Sequence, residues 1–257
     1  MRSKLIILGC GSSIGVPRVD GFWGKCDKNN VKNIRTRCSA IVMKGSNAVL
    51  IDTSPDLRNQ LLSNNIKNIS SVIFTHEHAD QTNGLFELRP FYWKSKKKIN
   101  IYGNLKTINH LKKRQDYLFK QISVYPPIVK ANIINSNFFL GKSSEKIFFK
   151  TIKAKHGKTS SLIYIFEKTA YISDSNDMSI VNVKELKSLK YLIIDCLKYK
   201  KHPSHFNLEE SIFIHERLKP RKTILTNLHH DLDYNQLLKK LPRNVIPAYD
   251  GLKIKLN

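Results

Sequence analysis

The chain has 257 residues, 41% hydrophobic and 25% charged, a composition that suits one α/β domain with a sizeable core and argues against disorder. No run of about 18 apolar residues occurs, which argues against a membrane-spanning helix. The formal charge of +24 fits attraction to phosphate-bearing substrates or nucleic acid. However, Lys, Asn and Ile crowd the whole chain rather than a tail, so compositional bias carries the larger share.

In chain order, residues 4–8 form a short apolar run that breaks at Gly9. It is too short for a signal-peptide core and reads as a buried strand. Further strands are expected over 39–43, 48–51, 72–74, 99–102, 147–153, 162–166, 170–173, 191–194, 223–225 and 252–256, each bounded by Gly, Asn, Asp or Ser. Ser54-Pro55-Asp56 reads as a helix start, with Ser54 as N-cap and Pro55 at the first helical position. Asn207, followed by Glu209 and Glu210, caps a helix running to about Leu218, and Asp233 caps another that ends before Pro242. With no repeat and no linker, the pattern implies one domain over 1–257, with two sheets covered by helices. Cys10, Cys26, Cys38 and Cys196 form no CxxC pair, as expected for reduced thiols in a cytoplasm.

The chemistry gathers at strand ends. His76-x-His78-x-Asp80 follows the strand at 72–74, and two imidazoles with a carboxylate are a ligand set for Zn²⁺ or a similar ion. His156, Asp174 and the stretch from Thr226 to Asp231 each follow a later strand. A lone His156 reads as a core or surface histidine and a lone Asp174 as a turn former; placement at four strand ends points instead to one centre.

The order HxHxD, His, Asp, His resembles the metallo-β-lactamase superfamily. The match to its branch of cyclic-phosphate phosphodiesterases from carbon–phosphorus lyase operons runs along the chain. It takes in Gly9 to Pro17, Arg37-Cys38-Ser39, Ile51-Asp52-Thr53, Gly84 to Arg89, His202 to His205 and Asp250-Gly251. The resemblance implies a four-layer αββα sandwich. It also implies His76, His78 and His156 on a first metal, Asp174 bridging, and Asp80 with a late histidine on a second. The ion implied is Zn²⁺, with Mn²⁺ as the alternative. Asp52 resembles a carboxylate that orients a ligand histidine; read alone, it is equally a strand-end turn residue. Two positions depart from the family pattern. Gln81 stands where HxHxDH has its last histidine, and Asn227 follows Thr226 where the late ligand is usual. The second site is therefore weakened, with His229, ahead of His230, as the substitute. The family's cysteine-rich structural zinc is not expected, since only Cys26 remains in that stretch.

The function implied is hydrolysis of a small cyclic phosphate or nucleotide-like phosphodiester by a metal-activated hydroxide. Asp80 or Asp174 would orient the water and His205 would protonate the leaving oxygen. Arg18, Arg37 and Arg89 are either phosphate contacts or structural ion-pair partners. The loop from Gly9 to Gly15 lacks the Lys-Ser/Thr of a nucleotide P-loop and reads as a turn at the metal cleft. An RNase Z-like nuclease and a degenerate, non-enzymatic metal-binding protein are the alternatives. Nucleic acid is the less favoured partner, a homodimer is open, and no membrane partner is expected.

Overall fold

A computed structural model describes residues 2–134 and 136–256. The first half carries β1 (Ser3–Gly9), β2 (Ser39–Lys44), β3 (Asn47–Ile51), β4 (Ser71–Ile73), β5 (Ile99–Gly103) and β6 (Val129–Ile133). The second carries β7 (Phe138–Leu140), β8 (Ile147–His156), β9 (Thr159–Phe166), β10 (Thr169–Ile172), β11 (Tyr191–Asp195), β12 (Lys222–Thr226), β13 (Val245–Pro247) and β14 (Leu252–Lys255). The helices are α1 (Leu57–Ser63), α2 (Ala79–Thr82), α3 (Arg89–Ser95), α4 (Leu105–Arg114), α5 (Leu208–Leu218) and α6 (Tyr234–Lys240), with several 3₁₀ turns between.

Two seven-stranded sheets form, ordered β14-β1-β2-β3-β4-β5-β6 and β13-β12-β11-β10-β9-β8-β7. Strands β3 to β6 are parallel, as are β10 to β13, and antiparallel hairpins adjoin both sets. Alternation along each strand sorts side chains between layers. Leu5, Ile7, Val42, Ile51, Tyr164, Ile193 and Ile224 meet between the sheets. Ile6, Leu8, Ile41 and Leu50 face outward onto Leu57, Leu61, Ile108 and Leu111 of α1 and α4. Leu192, Ile194 and Leu225 face Ile214, Leu218 and Leu237 of α5 and α6. This is the αββα sandwich, and burial on both faces explains why its strands read as continuous apolar runs.

All eleven expected strands are present. The three not foreseen, β6, β7 and β13, each close one end of a sheet. Edge strands are short and less apolar, and β13 tolerates Pro247 because an edge can spare an N–H. The first helix is a correction. α1 starts at Leu57 with no side-chain cap, because Ser54 serves a turn ahead of it. Its hydroxyl accepts the Asp56 N–H at 3.1 Å and donates to Gln60 Oε1 at 3.0 Å. Asn207 forms a full capping box with Glu210, and Asp233 accepts the Gln236 N–H at 2.9 Å, as expected.

The carboxyl ends of β3, β4, β10, β11 and β12, with the end of β8, lead to one edge of the sandwich, where ligands bind in such sheets. The Leu162 N–H donates to Thr75 O at 2.9 Å and the Tyr164 hydroxyl to Phe74 O at 2.6 Å, so the second sheet pins the loop that leaves β4. Among the described residues no helix is long and apolar enough to cross a membrane, and all four cysteines are buried and free.

Candidate metal centre

His76 and His78 leave the end of β4, and His156 closes β8. Their ring centroids lie 4.5, 4.8 and 5.0 Å apart, and one nitrogen of each falls within 4.8 Å of the others. Hydrogen bonds set two of the tautomers. His156 Nδ1 is 2.7 Å from Ser204 O; a carbonyl only accepts, so Nδ1 carries the proton and Nε2 keeps its lone pair. That Nε2 is 3.3 Å from His78 Nδ1. Ser204 comes this close because Gly157 has φ +57 and no side chain, where a Cβ would meet Ser204 Cβ at 2.8 Å.

His76 Nδ1 is 3.0 Å from Thr75 Oγ1, which donates to Asp52 Oδ2 at 2.8 Å. The hydroxyl therefore accepts from Nδ1–H, leaving the His76 Nε2 lone pair buried and without a partner. Burial, with His156 and His78 nearby, pushes the His76 pKa down to about 3, so the ring is the neutral, ligating form. An orphaned buried nitrogen is costly, and three imidazole nitrogens around one point fit a divalent ion. Asp52 reaches His76 through Thr75 rather than directly: its carboxylate accepts the Thr75 N–H at 2.8 Å as well as the hydroxyl. Asp52 is fully buried, with φ 61.

Asp174, just beyond β10, is buried beside His156 and His205, one atom of each lying within 4.8 Å. Burial works to raise its pKa, but the imidazoles of His76, His205 and His156 outweigh that and hold it low. Burial and the Asp174 charge push the neighbouring Asp80 up. Two carboxamides stand against these acids. Gln81 Nε2 donates to Asp80 Oδ2 at 3.1 Å and to Asp174 Oδ2 at 3.4 Å. Asn227 Nδ2 donates to Asp195 Oδ1 at 3.1 Å and lies 3.5 Å from Asp174 Oδ1.

Asp195 was not expected from the sequence. It ends β11, is fully buried, and holds His205 Nδ1 at 2.8 Å while accepting the Ser175 N–H at 3.0 Å. Burial lifts the Asp195 pKa to about 6. Burial alone would lower that of His205, but the Asp195 carboxylate overrides it and lifts the histidine to about 9. Like His156 and Asp174, Asp195 is a polar residue closing an apolar strand, which was the available signal.

His205, His78, His156, Asp80 and Asp174 line one cleft of about 260 Å³, together with Lys198, Asn227, His229 and residues 12–14. The Gly9 to Gly15 loop thus borders the cleft, as its sequence suggested. His229 does not group with Asp174. Its Nδ1 is 3.3 Å from Asp231, and that of His230 is 3.4 Å from the same carboxylate; the histidine beside Asp174 is His205. Arg18, Arg37 and Arg89 are not among the lining residues. Arg18 pairs with Asp20, Arg37 with Asp56 at 3.0 Å, and Arg89 lies over the Phe86 ring at 4.3 Å. Lys198, Ser12, Ser13, His202 and Ser204 are polar lining residues to which sequence reasoning gave no role of their own.

A two-sheet sandwich with this histidine and aspartate order at one edge defines a metal-dependent hydrolase of the metallo-β-lactamase fold. Residues 47–229 match the Beta-lactamase superfamily domain, and the chain belongs to that family. Its similarity to a crystallised diphosphatase of the PhnP family places it in the PhnP-like branch: 32% identity, 99% of this chain and 97% of that one, TM-score 0.88. The chain is also 29% identical over 255 residues to an octanoyltransferase of Porphyromonas gingivalis, matching 97% of this chain but spanning only about half (51%) of that relative. Zn²⁺-bound PqqB from Methylobacterium extorquens shares the fold at 16% identity and TM-score 0.77, covering 98% of this chain and 99% of that one. Human tRNase Z, short form, shares it at 16% identity and TM-score 0.70, covering 99% of each chain.

Proposed function

We propose that the protein hydrolyses small phosphodiesters, cyclic ones included, at a centre held by His76, His78 and His156. The observation that carries the reading is the pairing of one cluster of lone-pair nitrogens with a carboxylate-backed imidazole beside it in the same cleft. A divalent ion bound by the three histidines supplies Lewis acidity toward water and a phosphoryl oxygen. Everything else falls to the chain.

Lys198 and the hydroxyls of Ser12 and Ser13 bind the phosphate oxygens at the cleft mouth. Asp80 accepts a hydrogen bond from the attacking water, orients it and takes its proton. As the new P–O bond forms, the bond to the leaving oxygen breaks, and that oxygen takes a proton from His205 Nε2. Asp195, on Nδ1, fixes the ring for this transfer; a positioned acid of this kind contributes about 10²–10⁴-fold.

A second reading keeps the same residues and changes the leaving group to a phosphate, as the PhnP-family relative's description as a diphosphatase suggests. The test is turnover by metal-replete protein of bis-(p-nitrophenyl) phosphate, a five-membered cyclic phosphate and a diphosphate ester. Hydrolysis of the first two supports the phosphodiesterase, and hydrolysis of the third alone supports the diphosphatase. Cleavage of precursor tRNA with strong salt dependence would favour the nuclease. Tightly held metal with no turnover of any ester would sink all three.

A further inference from the structure

We infer that this protein works with a single metal ion, because two side-chain amides occupy the place of the second. The inference rests on the metal-centre reading above and concerns the neighbouring position, between Asp80 and Asp174.

In a two-metal site of this kind, a bridging carboxylate needs a cation on each side. Here Asp174 has the three-histidine cluster on one side. On the other, both of its oxygens face NH₂ groups: Oδ2 faces Gln81 Nε2 at 3.4 Å and Oδ1 faces Asn227 Nδ2 at 3.5 Å. The same two groups reach the flanking acids, Gln81 to Asp80 at 3.1 Å and Asn227 to Asp195 at 3.1 Å. A carboxamide NH₂ offers protons and no usable lone pair, so in this orientation neither residue can ligate. The N–H dipoles supply the partial positive charge that three clustered carboxylates need.

The amides are not free to turn. Gln81 is fully buried and Asn227 is 2% exposed. Flipping Gln81 would bring its carbonyl against Asp80 and Asp174 and break both bonds. This orientation leaves Gln81 Oε1 buried and unpartnered, which is costly. The acids therefore dictate which end of the amide faces inward. Asn227 Nδ2 sits among Asp195 Oδ1 at 3.1 Å, Asp174 Oδ1 at 3.5 Å and His205 Nδ1 at 3.0 Å. His229, the available late histidine, lies beside Asp231, and His205, the imidazole beside Asp174, has its Nδ1 held by Asp195 at 2.8 Å.

The experiment is metal titration of the metal-depleted chain, read by bound ions per chain and by Mn²⁺ electron paramagnetic resonance; the resonance shows spin coupling only when two ions share a bridging ligand. Wild type should saturate with one uncoupled Mn²⁺, lost in His156→Ala. Gln81→His/Asn227→His should retain that ion and gain a second, spin-coupled one. A coupled pair on wild type would overturn the inference. So would a folded double variant, still holding the first ion, that gains no partner for it. No ion on wild type, or one that survives His156→Ala, would overturn the metal-centre reading and the inference with it. The wild-type spectrum decides the matter even if the double variant does not fold.

Discussion

Asp250 gives the sharpest test of the energetics behind the cleft. Its carboxylate accepts the Cys10 N–H at 3.0 Å, the Thr36 N–H at 2.7 Å and the Thr36 hydroxyl, and so ties the end of β1 to the 35–37 segment that carries the cleft loop. Burial pushes its pKa up to about 6 despite those three donors. Against about 3.9 in an unfolded chain, a rise of roughly two units corresponds to about 3 kcal/mol. The folded chain holds this proton more tightly than the unfolded one. Its contribution is thus fully present below about pH 3.9 and lost as pH rises through about 6. Asp250→Asn removes the titration while keeping the size. Urea unfolding of both proteins from pH 4 to 7.5, with chelator present to exclude metal uptake, isolates this group because every other titration is shared. Wild type should lose about 2–3 kcal/mol relative to the variant across that range. Parallel stability curves would refute a raised pKa. An opposite slope would mean that the three donors outweigh burial.

The other predictions concern the centre. Asp195→Asn should lower kcat by about 10²-fold for alkyl phosphodiesters, leave KM nearly unchanged, and spare p-nitrophenyl substrates, whose leaving group needs no proton. An equal loss on both substrate classes would argue for structural damage instead. Thr75→Val cuts the relay from Asp52 to His76 and should weaken metal affinity by about 10–100-fold, read by competition with a chromophoric chelator. Gly157→Ala meets both a positive φ and the Ser204 side chain. It should destabilise the fold by about 1–3 kcal/mol and loosen the metal through His156; an unchanged denaturation midpoint with unchanged metal affinity would contradict the geometry.

What the sequence could and could not convey follows from range. Strands buried on both faces announce themselves as apolar runs, so the interior of each sheet was legible, whereas β6, β7 and β13 were lost at the edges. Residues at strand ends were legible too, and the recurrence of His or Asp there pointed to His76, His78, His156 and Asp174 before any geometry. The same signal at Asp195 was passed over because no motif surrounds it. Orientation was not legible. His229 turns toward Asp231, a neighbour two residues on, and nothing in that stretch tells that it does so rather than face Asp174. For the arginines, sequence left phosphate contact and ion pair both open, and Arg18 and Arg37 are found in ion pairs. Arg37 sits in a stretch shared with the family, but Asp56, nineteen residues on, claims its guanidinium.

Charge distinguishes the surface from the site it surrounds. The chain carries a formal +24, yet Asp80, Asp174 and Asp195 cluster at the back of the cleft, with Lys198 alone among the lining residues as a fixed cation. A phosphate entering without compensation would meet carboxylates at short range in a low-dielectric setting, where repulsion is strong. The basic surface can raise the local concentration of anions, but that attraction is screened over about 8 Å at physiological salt and does not reach the reacting atoms. On the proposed reading, compensation comes from within, from an ion on the three histidines and from the proton that Asp195 keeps on His205. The amides of Gln81 and Asn227 then make sense as the third contribution. They face all three carboxylates with N–H dipoles and, with the proposed single ion, leave its charge directed at the substrate rather than shared along a chain of acids.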